Sequence, residues 1–409
     1  MLGWELPPDN SGGLGVVCYQ LCKVLARKGA DIEFVLPYQA SYDIDFMRVT
    51  AARPKNVVEV QRSGGAYDSY KYIYEDGHSE SVSIYEQQQL YEHAVAQLVK
   101  AYAPHQFDVI HAHDWLSFRA ALRAKQHLNL PLVLHVHTIE RDRAGGNVGN
   151  PLVREIEGLA FLMADRIVAV SQRTKNMIAE DYDVPLSKIE VVYNHIDESA
   201  LEPLDTHTAY PYLAQLRAQG YHVITNVGRL TVQKNLTALM HAAREVIARV
   251  PKTIFLFVGG GEQYHELVQL AADLGISQNV IFTGFQRGKR WRDSYGIGDL
   301  FAMTSVSEPF GITALEAIAY DTPVLMSNQS GVAEVIKNGL KFDFWDVHEL
   351  ANKIVAVVQN PALGETLRAG ARRELDRLTW DDSAHKLLSI FDEHVRGARA
   401  SSSAQKVAA

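Results

Sequence analysis

Short apolar runs bounded by turn residues, each followed by an amphipathic stretch, recur along the chain and constrain its fold more than any other feature. Runs of this kind are typical of strands buried on both faces, and parallel strands need a crossover, usually a helix, between them. The predicted strands are residues 2–4, 32–36, 109–112, 132–136, 167–170 and 189–192 in a first series, and 222–227, 254–258, 280–282, 300–303 and 323–326 in a second. Two such series predict an α/β protein with two Rossmann-like, doubly wound domains.

An irregular segment with two prolines, residues 198–219, separates the two series and marks the predicted linker. We therefore predict a first domain over residues 1–200 and a second over residues 201–379. Amphipathic helices are expected at residues 14–28, where Gly29 permits a left-handed cap, and at 236–247 and 262–274. Residues 380–398 predict one more long helix, and residues 399–409 are expected to be a disordered tail because they have little to bury.

The size and charge of the chain narrow its function classes. At 409 residues it is too large for one compact core, and 40 basic against 48 acidic side chains, with no long basic run, argue against a nucleic-acid partner. No apolar run approaches the roughly 20 residues that span a bilayer, so we expect a cytoplasmic protein without membrane association. Cys18 and Cys22, four apart on one predicted helix, are expected to be buried core thiols rather than a redox or metal pair.

The strongest site motif is the run Ser307–Glu316, SEPFGITALE, which follows an apolar strand. Pro309 suits the first position of a helix, which puts Glu308 at the helix mouth and Glu316 about two turns inside, roughly 12 Å away. That separation exceeds the roughly 5–9.5 Å between the two carboxylates of a glycosidase. It suits a ligand with hydroxyl groups at both ends and phosphate between them, such as a nucleoside diphosphate sugar. The alternative is a capping Glu followed by an exposed helix Glu, with no ligand.

Two loops at strand ends add groups that suit a phosphate. Arg229 and Lys234 lie in the loop after residues 222–227, at the edge where open α/β sheets bind ligands, and could neutralise a diphosphate. The alternative is a pair of solvated surface cations. Gly12 and Gly13 follow the first predicted strand and allow backbone amides to approach a phosphate closely. Because this loop lacks the third glycine of the dinucleotide fingerprint, a nicotinamide cofactor is not expected.

Four histidines stand at the ends of two predicted strands: His111 and His113, followed by Asp114, and His135 and His137. Metal binding is one interpretation of such a cluster. Both strand ends belong to the edge where a ligand cleft is expected, so contact with sugar hydroxyl groups is the preferred interpretation. We therefore predict neither a bound metal nor another cofactor.

The order of these motifs along the chain resembles the retaining GT-B glycosyltransferases of group 1 and family 4, in the branch of glycogen synthase-like and sucrose-phosphate synthase-like enzymes. The resemblance extends from Trp4 to about Trp380. It implies two Rossmann-like domains that face each other across a cleft, with residues 380–398 crossing back to the first domain. The chain departs from the family pattern after Lys234, where Asn235 replaces the more usual glycine.

Carried onto matching positions, the resemblance implies a role for each site residue. Arg229 and Lys234 would grip the donor diphosphate, and Glu308 would hold the donor hexose. The other implied contacts are Glu316 to the ribose, His137 to the transferring sugar, Asp114 near the acceptor or sugar, Gly12 and Gly13 beside the phosphates, Gly259 and Phe285 at the base pocket, and Phe310, Gly311, Ile312 and Thr313 along the donor motif.

The resemblance implies retaining, metal-independent transfer of a hexose, most simply glucose from UDP-glucose or ADP-glucose, to a carbohydrate acceptor such as an α-glucan or a small sugar. The nucleotide sugar is then a substrate and not a cofactor. One alternative is a transferase that acts on a lipid-linked or cell-envelope glycan, and another is a non-catalytic protein that binds nucleotide sugars. The motifs do not encode the base, the hexose, the acceptor, the linkage or the oligomeric state.

Overall fold

A computed structural model of the chain describes residues 1–8, 12–38, 42–62 and 70–407. The chain divides into two compact units: Met1–Ile139, Asn150–Asn194 and Trp380–Ala409 form unit 1, and Glu140–Gly149 and His195–Thr379 form unit 2. The main division after Asn194 falls shortly before the boundary predicted after residue 200. The short segment Glu140–Gly149 belongs to unit 2 although its chain neighbours on both sides belong to unit 1, which the sequence did not predict.

The first half of the chain alternates strands and helices as the apolar runs predict. In chain order its elements are α1 (Gly13–Arg27), β1 (Glu33–Leu36), β2 (Arg48–Ala51), β3 (Val57–Arg62), β4 (Tyr70–Tyr74), β5 (Ser79–Val82), α2 (Ile84–Leu98), β6 (Ile110–His113), α3 (Trp115–Leu128), β7 (Leu132–Val136), α4 (Glu140–Arg143), α5 (Pro151–Met163), β8 (Arg166–Ala169), α6 (Gln172–Tyr182) and β9 (Ile189–Val191). Of these elements, α4 lies in unit 2 and the others lie in unit 1.

The second half follows the same alternation. Its elements are α7 (Pro211–Ala218), β10 (His222–Val227), α8 (Leu236–Arg249), β11 (Thr253–Val258), α9 (Tyr264–Asp273), β12 (Val280–Phe282), α10 (Gly288–Gly296), β13 (Leu300–Met303), α11 (Ile312–Ala319), β14 (Val324–Ser327), β15 (Leu340–Phe342), α12 (Val347–Gln359), α13 (Pro361–Leu375) and α14 (Trp380–Val407). The last helix belongs to unit 1, and it continues through Val407, past residue 398 where we expected it to give way to a disordered tail.

The main sheet of unit 1 is parallel. β1 pairs with β2, and β6, β7, β8 and β9 pair in that order. The predicted first strand is reduced to Leu2, which forms parallel bridges to both Val35 of β1 and Ala112 of β6. The spatial order is therefore β2, β1, Leu2, β6, β7, β8, β9. The order reverses between Leu2 and β6, which makes that point the topological switch of a doubly wound fold.

A small antiparallel sheet in unit 1 was not predicted from the sequence. β4 pairs with β3 on one side and with β5 on the other, and β5 exposes three of its four residues. Strands of this kind lack the continuous apolar run of a strand buried on both faces, so they give a weaker sequence signal. The parallel strand β2 was missed for the same reason, since it has no buried residue.

Unit 2 is built on a six-stranded, fully parallel sheet in the order β12, β11, β10, β13, β14, β15. The first strand of the unit, β10, lies between β11 and β13, so the order of the strands reverses there. Ligands of open α/β sheets bind beyond the carboxyl ends of the strands at such a point. The loops that follow β10 and β13 are therefore where a site in this unit is expected.

Each unit has its own hydrophobic core. In unit 1, Ala112 and Leu134 from the sheet pack with Phe118 of α3 and Phe161 of α5. In unit 2, Phe255 and Phe257 of β11 belong to a cluster with residues of α8 and α12. Burying one such aromatic or aliphatic side chain contributes about 1.5–3 kcal/mol, which is what holds the strand ends in place.

Several helices begin or end at residues that are favoured as helix caps. Ser83 and Glu86 form a capping box at the start of α2, and Asn150 caps α5 directly before Pro151. Gly29 follows α1 with φ +95°, the left-handed conformation that the sequence predicted.

Among the described residues, no helix combines the length and the apolar character needed to cross a bilayer.

Candidate functional site

Lys234 and Glu308 meet at the switch point of unit 2. Lys234 follows β10 at the end of a short 3-10 turn, and Glu308 follows β13. The Lys234 Nζ donates to Glu308 Oε2 at 2.5 Å, and the Ser305 Oγ donates to the same carboxylate oxygen at 2.7 Å. The two side chains are 20% and 10% exposed. A cation and an acceptor at a partly open strand end can exchange this mutual contact for a phosphate and a sugar hydroxyl.

Backbone contacts hold the two loops together. The Thr304 Oγ1 donates to the carbonyl oxygen of Lys234 at 2.8 Å, and the Gln233 Nε2 donates to the carbonyl oxygen of Ser307 at 2.9 Å. Glu308 also forms an isolated parallel bridge with Ser330. These hydrogen bonds fix the two loops before a ligand binds. The entropic cost of ordering Lys234 and Glu308 on binding is therefore smaller.

Arg229 is the second cation that the sequence placed here. It follows Gly228 in the loop after β10, and its side chain is exposed. Its position at the carboxyl end of β10 agrees with a role at a phosphate, because Arg offers a planar fork of donors. The structure thus brings Arg229, Lys234 and Glu308 to one edge of one sheet.

The helix of the donor motif begins later than predicted. We expected Pro309 at the first helical position, but α11 begins at Ile312, with Gly311 as its N-cap at φ +108°. Glu308 and Phe310 therefore lie in the loop before the helix, and the separation of roughly 12 Å, which assumed eight residues of continuous helix, does not apply. The reason is the bridge from Glu308 to Ser330, which keeps this part of the chain extended.

The start of α11 still offers groups for an anion. Ile312 and Thr313 form its first turn, where backbone N–H groups have no partner inside the helix. Phe310 is buried, so it supports the loop by packing rather than by exposed contact. A phosphate is favoured at such a helix N-terminus by the free N–H groups and by the helix dipole.

Glu316 lies inside α11 and has a buried partner. The Tyr295 hydroxyl donates to Glu316 Oε2 at 2.5 Å. Burial raises the pKa of Glu316 to about 7, and the hydrogen bond from Tyr295 lowers it only in part. The carboxyl group therefore changes its charge near neutral pH, where a neutral acid and a carboxylate differ in how well they accept hydrogen bonds from a ribose.

The loops after β11 and β12 contain the two residues assigned to the base pocket. Gly259 has φ +144°, and a Cβ there would lie 1.8 Å from the carbonyl oxygen of Gly228, so only glycine fits. Its N–H donates to the carbonyl oxygen of Gly284 at 3.0 Å. Phe285 follows Gly284 and is 61% exposed, with the Arg287 guanidinium 5.2 Å from its ring centroid. An exposed aromatic face of this kind is available for stacking on a base.

In unit 1 the glycine loop is only partly described. Gly12 is the N-cap of α1 and Gly13 is its first residue, and both are exposed. Ser11, which precedes them in the same motif, lies outside the described residues. The glycines therefore stand at the start of the first helix, as the sequence predicted.

Asp114 is held by backbone hydrogen bonds at the end of β6. It is buried at the N-cap of α3, with φ 59° and ψ 167°, a region that residues other than glycine rarely adopt. Its Oδ1 accepts hydrogen bonds from the backbone N–H groups of His137 at 2.7 Å and of Thr138 at 3.2 Å. The resemblance implies a position near the acceptor or the sugar, and the two backbone hydrogen bonds show in addition that Asp114 holds the end of the neighbouring strand.

His137 is half-buried at the end of β7. Its Nε2 lies 3.1 Å from Nδ1 of His113, within hydrogen-bond distance, and its ring stacks on His135 with centroids 4.4 Å apart. Burial lowers the pKa of His137, so it is neutral at physiological pH. A neutral imidazole with a fixed orientation can contact a hydroxyl group as donor or acceptor.

Sequence reasoning missed the segment Glu140–Gly149. The Ser307 Oγ donates to Asp142 Oδ1 at 2.5 Å, directly before Glu308. A Cβ on Gly145, at φ +61°, would lie 3.2 Å from Val232 Cγ1 in the loop that leads to Lys234. The segment thus contacts both loops that carry the ion pair. Its only sequence signal was the Gly145-Gly146 pair, which on its own predicts no more than a turn.

Comparisons with known proteins agree with this fold. Residues 11–200 match the family model described as Glycosyltransferase Family 4, and residues 214–374 match Glycosyl transferases group 1. The D-inositol 3-phosphate glycosyltransferase of Rhodococcus jostii is 28% identical over 93% of this chain and 84% of that protein. Sucrose-phosphate synthase from Thermosynechococcus elongatus has a TM-score of 0.73 at 18% identity, covering 96% of this chain and 98% of that one. HepE of Anabaena, solved in complex with UDP and glucose, has a TM-score of 0.70 at 19% identity, covering 96% and 99%.

Two doubly wound units with phosphate-compatible strand ends, together with these matches, define a glycosyltransferase of the GT-B fold. The chain belongs to the glycosyltransferases that combine a Family 4 domain with a group 1 domain.

Proposed function

We propose that this glycosyltransferase transfers glucose from UDP-glucose or ADP-glucose to a hydroxyl group of a carbohydrate acceptor, an α-glucan or a small sugar, with retention of anomeric configuration. The observation that carries the proposal is the Lys234–Glu308 pair at the switch point of unit 2, 2.5 Å apart and partly open. The pair offers a cation for the leaving diphosphate and a carboxylate for the sugar hydroxyl groups. HepE, solved with UDP and glucose, supports this choice of donor by its similar fold.

In the proposed reaction, the acceptor oxygen forms a bond to the anomeric carbon on the face from which the diphosphate leaves. The bond from that carbon to the diphosphate oxygen breaks, and the acceptor proton passes to an oxygen of the departing phosphate. Lys234 and Arg229 stabilise the negative charge that develops on the diphosphate, so this step needs no metal at the donor. The N–H groups at the start of α11 add to this stabilisation.

The remaining residues are proposed to orient the substrates. Glu308 accepts hydrogen bonds from the hexose, Glu316 accepts them from the ribose, and Gly259 with Phe285 borders the base. In unit 1, His137 is proposed to contact the transferring sugar, and Asp114 to fix the strand end that carries it.

The curated relatives favour a second acceptor class. Several near-full-length relatives, including the Rhodococcus jostii protein, are D-inositol 3-phosphate glycosyltransferases. A phosphorylated cyclitol is therefore the second candidate acceptor, and it shares with a small sugar the ring of hydroxyl groups that would attack the donor.

A thermal-shift screen tests the donor, because a ligand that binds only the native state raises the melting temperature. UDP-glucose, ADP-glucose, other nucleotide sugars and free nucleotides are compared, each against a ligand-free sample in the same buffer, with and without chelator. We expect one glucose donor to raise the melting temperature in both buffers, by an amount that increases with its concentration. If no nucleotide changes the melting temperature in either buffer, the proposed donor site is wrong.

A transfer assay with the same donor then tests the acceptor. Maltooligosaccharides, glucose, fructose 6-phosphate and inositol 3-phosphate are supplied in turn, and the anomeric configuration of the product is read by NMR. Transfer to a neutral glucan or small sugar with an α-linked product is the expected result, since the donor is α-linked. Transfer to inositol 3-phosphate alone would select the second acceptor class, and an inverted product would contradict retention.

A further inference from the structure

The interior of unit 1 contains a group of histidines that the proposed transfer does not use. β6 and β7 are parallel neighbours, with His113 opposite His135 in the register. Residues two apart on a strand point to the same face, so His111 joins them there. The ring centroids are 4.4 Å apart for His111 and His113, 5.4 Å for His111 and His135, and 5.3 Å for His113 and His135.

These three imidazoles are buried, and five of their six ring nitrogens have no hydrogen-bond partner among the described residues. Each is at most 1% exposed. Within the part of the chain that the structure describes, neither ring nitrogen of His111 or His135 has a partner, and Nε2 of His113 has none. A buried polar atom without a partner costs about 1–3 kcal/mol, so five such atoms in one place call for an occupant.

The surroundings of the cluster are largely apolar. The Phe34 ring stacks on His113 with centroids 6.2 Å apart, and Phe391 of α14 meets His111 edge-on at 5.2 Å. Burial lowers the pKa of all three histidines, that of His135 to about 3, so the rings are neutral. A neutral imidazole always presents one nitrogen lone pair, which is the form that binds a metal.

The positions of the nitrogens suit one small cation. One ring nitrogen from each of His111, His113 and His135 lies within 4.8 Å of the other two. A tetrahedral ion that binds imidazole at 2.0–2.1 Å holds its ligand atoms roughly 3.3 Å apart, so only small side-chain shifts are needed to close on it. Imidazole ligands favour zinc and its transition-metal neighbours, whereas calcium and magnesium require oxygen ligands.

His113 also contacts His137, the residue that we propose contacts the transferring sugar. Nδ1 of His113 faces Nε2 of His137 at 3.1 Å, which leaves the Nε2 of His113 for a metal. Histidines that bind metals usually engage their other ring nitrogen in a hydrogen bond, which fixes the tautomer and the ring orientation. An ion bound to His113 would therefore also fix the orientation of His137.

A second group with ligand atoms within 4.8 Å of one another, Cys18, His113 and His137, shares His113 with the first. In this group Nδ1 of His113 and Nε2 of His137 already contact each other, whereas the ring nitrogens of His111 and His135 have no hydrogen-bond partner to give up in the part of the chain that the structure describes. The three histidines of β6 and β7 are therefore the better site.

We propose that His111, His113 and His135 bind one transition-metal cation, zinc by their chemistry, inside unit 1. The ion stabilises the fold and holds the His113–His137 contact, and it takes no part in neutralising the donor diphosphate. The proposal replaces our sequence-based expectation that the four histidines bind no metal. It does not depend on the proposed glucosyl transfer, since metal content is measured without any substrate.

The first test uses the unaltered protein, purified without a histidine tag from cells grown with added zinc. We expect about one equivalent of zinc per chain by mass spectrometry of the metal, because a preformed site of buried ligands retains its ion through purification. A strong chelator should lower the melting temperature by several degrees, and zinc but not magnesium should restore it. The proposal would be overturned if the protein contains much less than one equivalent of zinc and if neither the chelator nor added zinc changes its melting temperature.

Variants test which side chains bind the ion. His111→Gln and His135→Gln should each lower the zinc content about tenfold or more, in line with the loss of a ligand. Cys18→Ser and the matched control His93→Gln, an exposed histidine on α2, should retain it. Zinc that is lost in Cys18→Ser and kept in His111→Gln would place the ion elsewhere and refute this site.

A spectroscopic measurement covers the case in which the glutamine variants do not fold. Cobalt replaces zinc in the unaltered protein after chelation, and its visible absorption reports the ligands. A four-coordinate spectrum without a thiolate-to-cobalt charge-transfer band is expected for three imidazoles and one water molecule. A charge-transfer band, or no cobalt uptake at all, would contradict the proposed ligand set.

Discussion

The two units share a doubly wound strand order, but the polar side chains near their switch points differ in exposure and in hydrogen bonding. In unit 2, Lys234 and Glu308 satisfy each other at a partly exposed strand end. In unit 1, the ring nitrogens of His111 and His135 are buried with no hydrogen-bond partner among the described residues, and Asp114 accepts hydrogen bonds from backbone N–H groups. An exposed pair can be exchanged for a substrate, whereas buried lone pairs favour a permanent occupant. The same scaffold thus carries a partly exposed ion pair in one unit and a buried cluster of histidines in the other.

The largest expected effect concerns the ion pair of unit 2. We expect Lys234→Ala and Glu308→Gln each to lower turnover by about 10²–10³-fold, because each removes a group that would stabilise the transition state. Steady-state rates with the donor found by thermal shift provide the measurement. Arg244→Ala, an exposed cation on α8, is the matched control and should keep normal turnover. Near-normal rates in folded Lys234 and Glu308 variants would show that the pair is only structural.

The second prediction concerns Asp114 in unit 1, whose loss should lower the free energy of unfolding. Asp114→Ala leaves the N–H groups of His137 and Thr138 without their acceptor, so the free energy of unfolding should fall by about 1–3 kcal/mol. Asp114→Asn keeps an oxygen acceptor and should lose less. Urea unfolding followed by circular dichroism gives both values, with the exposed Asp45→Ala as control. If Asp114→Ala unfolds like the control, the two backbone contacts contribute little and do not support the strand end.

The smallest expected effect concerns the charge of Glu316 in unit 2. Its pKa of about 7 lies above the usual 4.5, so the group is largely neutral at pH 6 and largely ionised at pH 8. A carboxylate accepts hydrogen bonds from ribose more strongly than the neutral acid, so the affinity for UDP-glucose should rise roughly three- to tenfold over this range. Calorimetric titration at several pH values measures it.

Two controls isolate that pH effect. Glu316→Gln should bind UDP-glucose with little change between pH 6 and 8, and the exposed Glu365→Gln should behave like the unaltered protein. The sign for stability is the opposite of the sign for binding. Because the folded pKa is raised, this carboxyl group makes the protein less stable as pH rises from about 4.5 to 7. An equal pH response in Glu316→Gln would assign the titration to another group.

Much of the sheet architecture could be predicted from the sequence because its strands are buried on both faces. The predicted bounds of β7, β10, β12 and β13 agree with the structure to the residue. Such strands are continuous apolar runs, and their signal does not depend on distant contacts. The antiparallel strands β3 to β5 alternate or expose their side chains, so the same reasoning could not find them.

Only those residues of the candidate site that come directly after a predicted strand could be placed from the sequence. Arg229, Lys234 and Glu308 lie at one sheet edge because parallel strands end on the same side. The late start of α11 depends on the pairing of Glu308 with Ser330, which is not visible in the local sequence. The unusual φ of Asp114 and the register that puts His113 opposite His135 likewise arise from tertiary contacts.

The position of α14 has a consequence for the synthesis of the protein. Unit 1 contains the first residues of the chain, yet Phe391 of α14 covers His111 and Ser383 of the same helix donates to the carbonyl oxygen of Tyr193. A ribosome makes this helix after all of unit 2. Although domains generally fold in the order in which they emerge, the unit that begins first here is completed last. Until then, its histidine face lacks the cover that α14 provides, and the nascent chain must carry that open surface through the synthesis of an entire second domain.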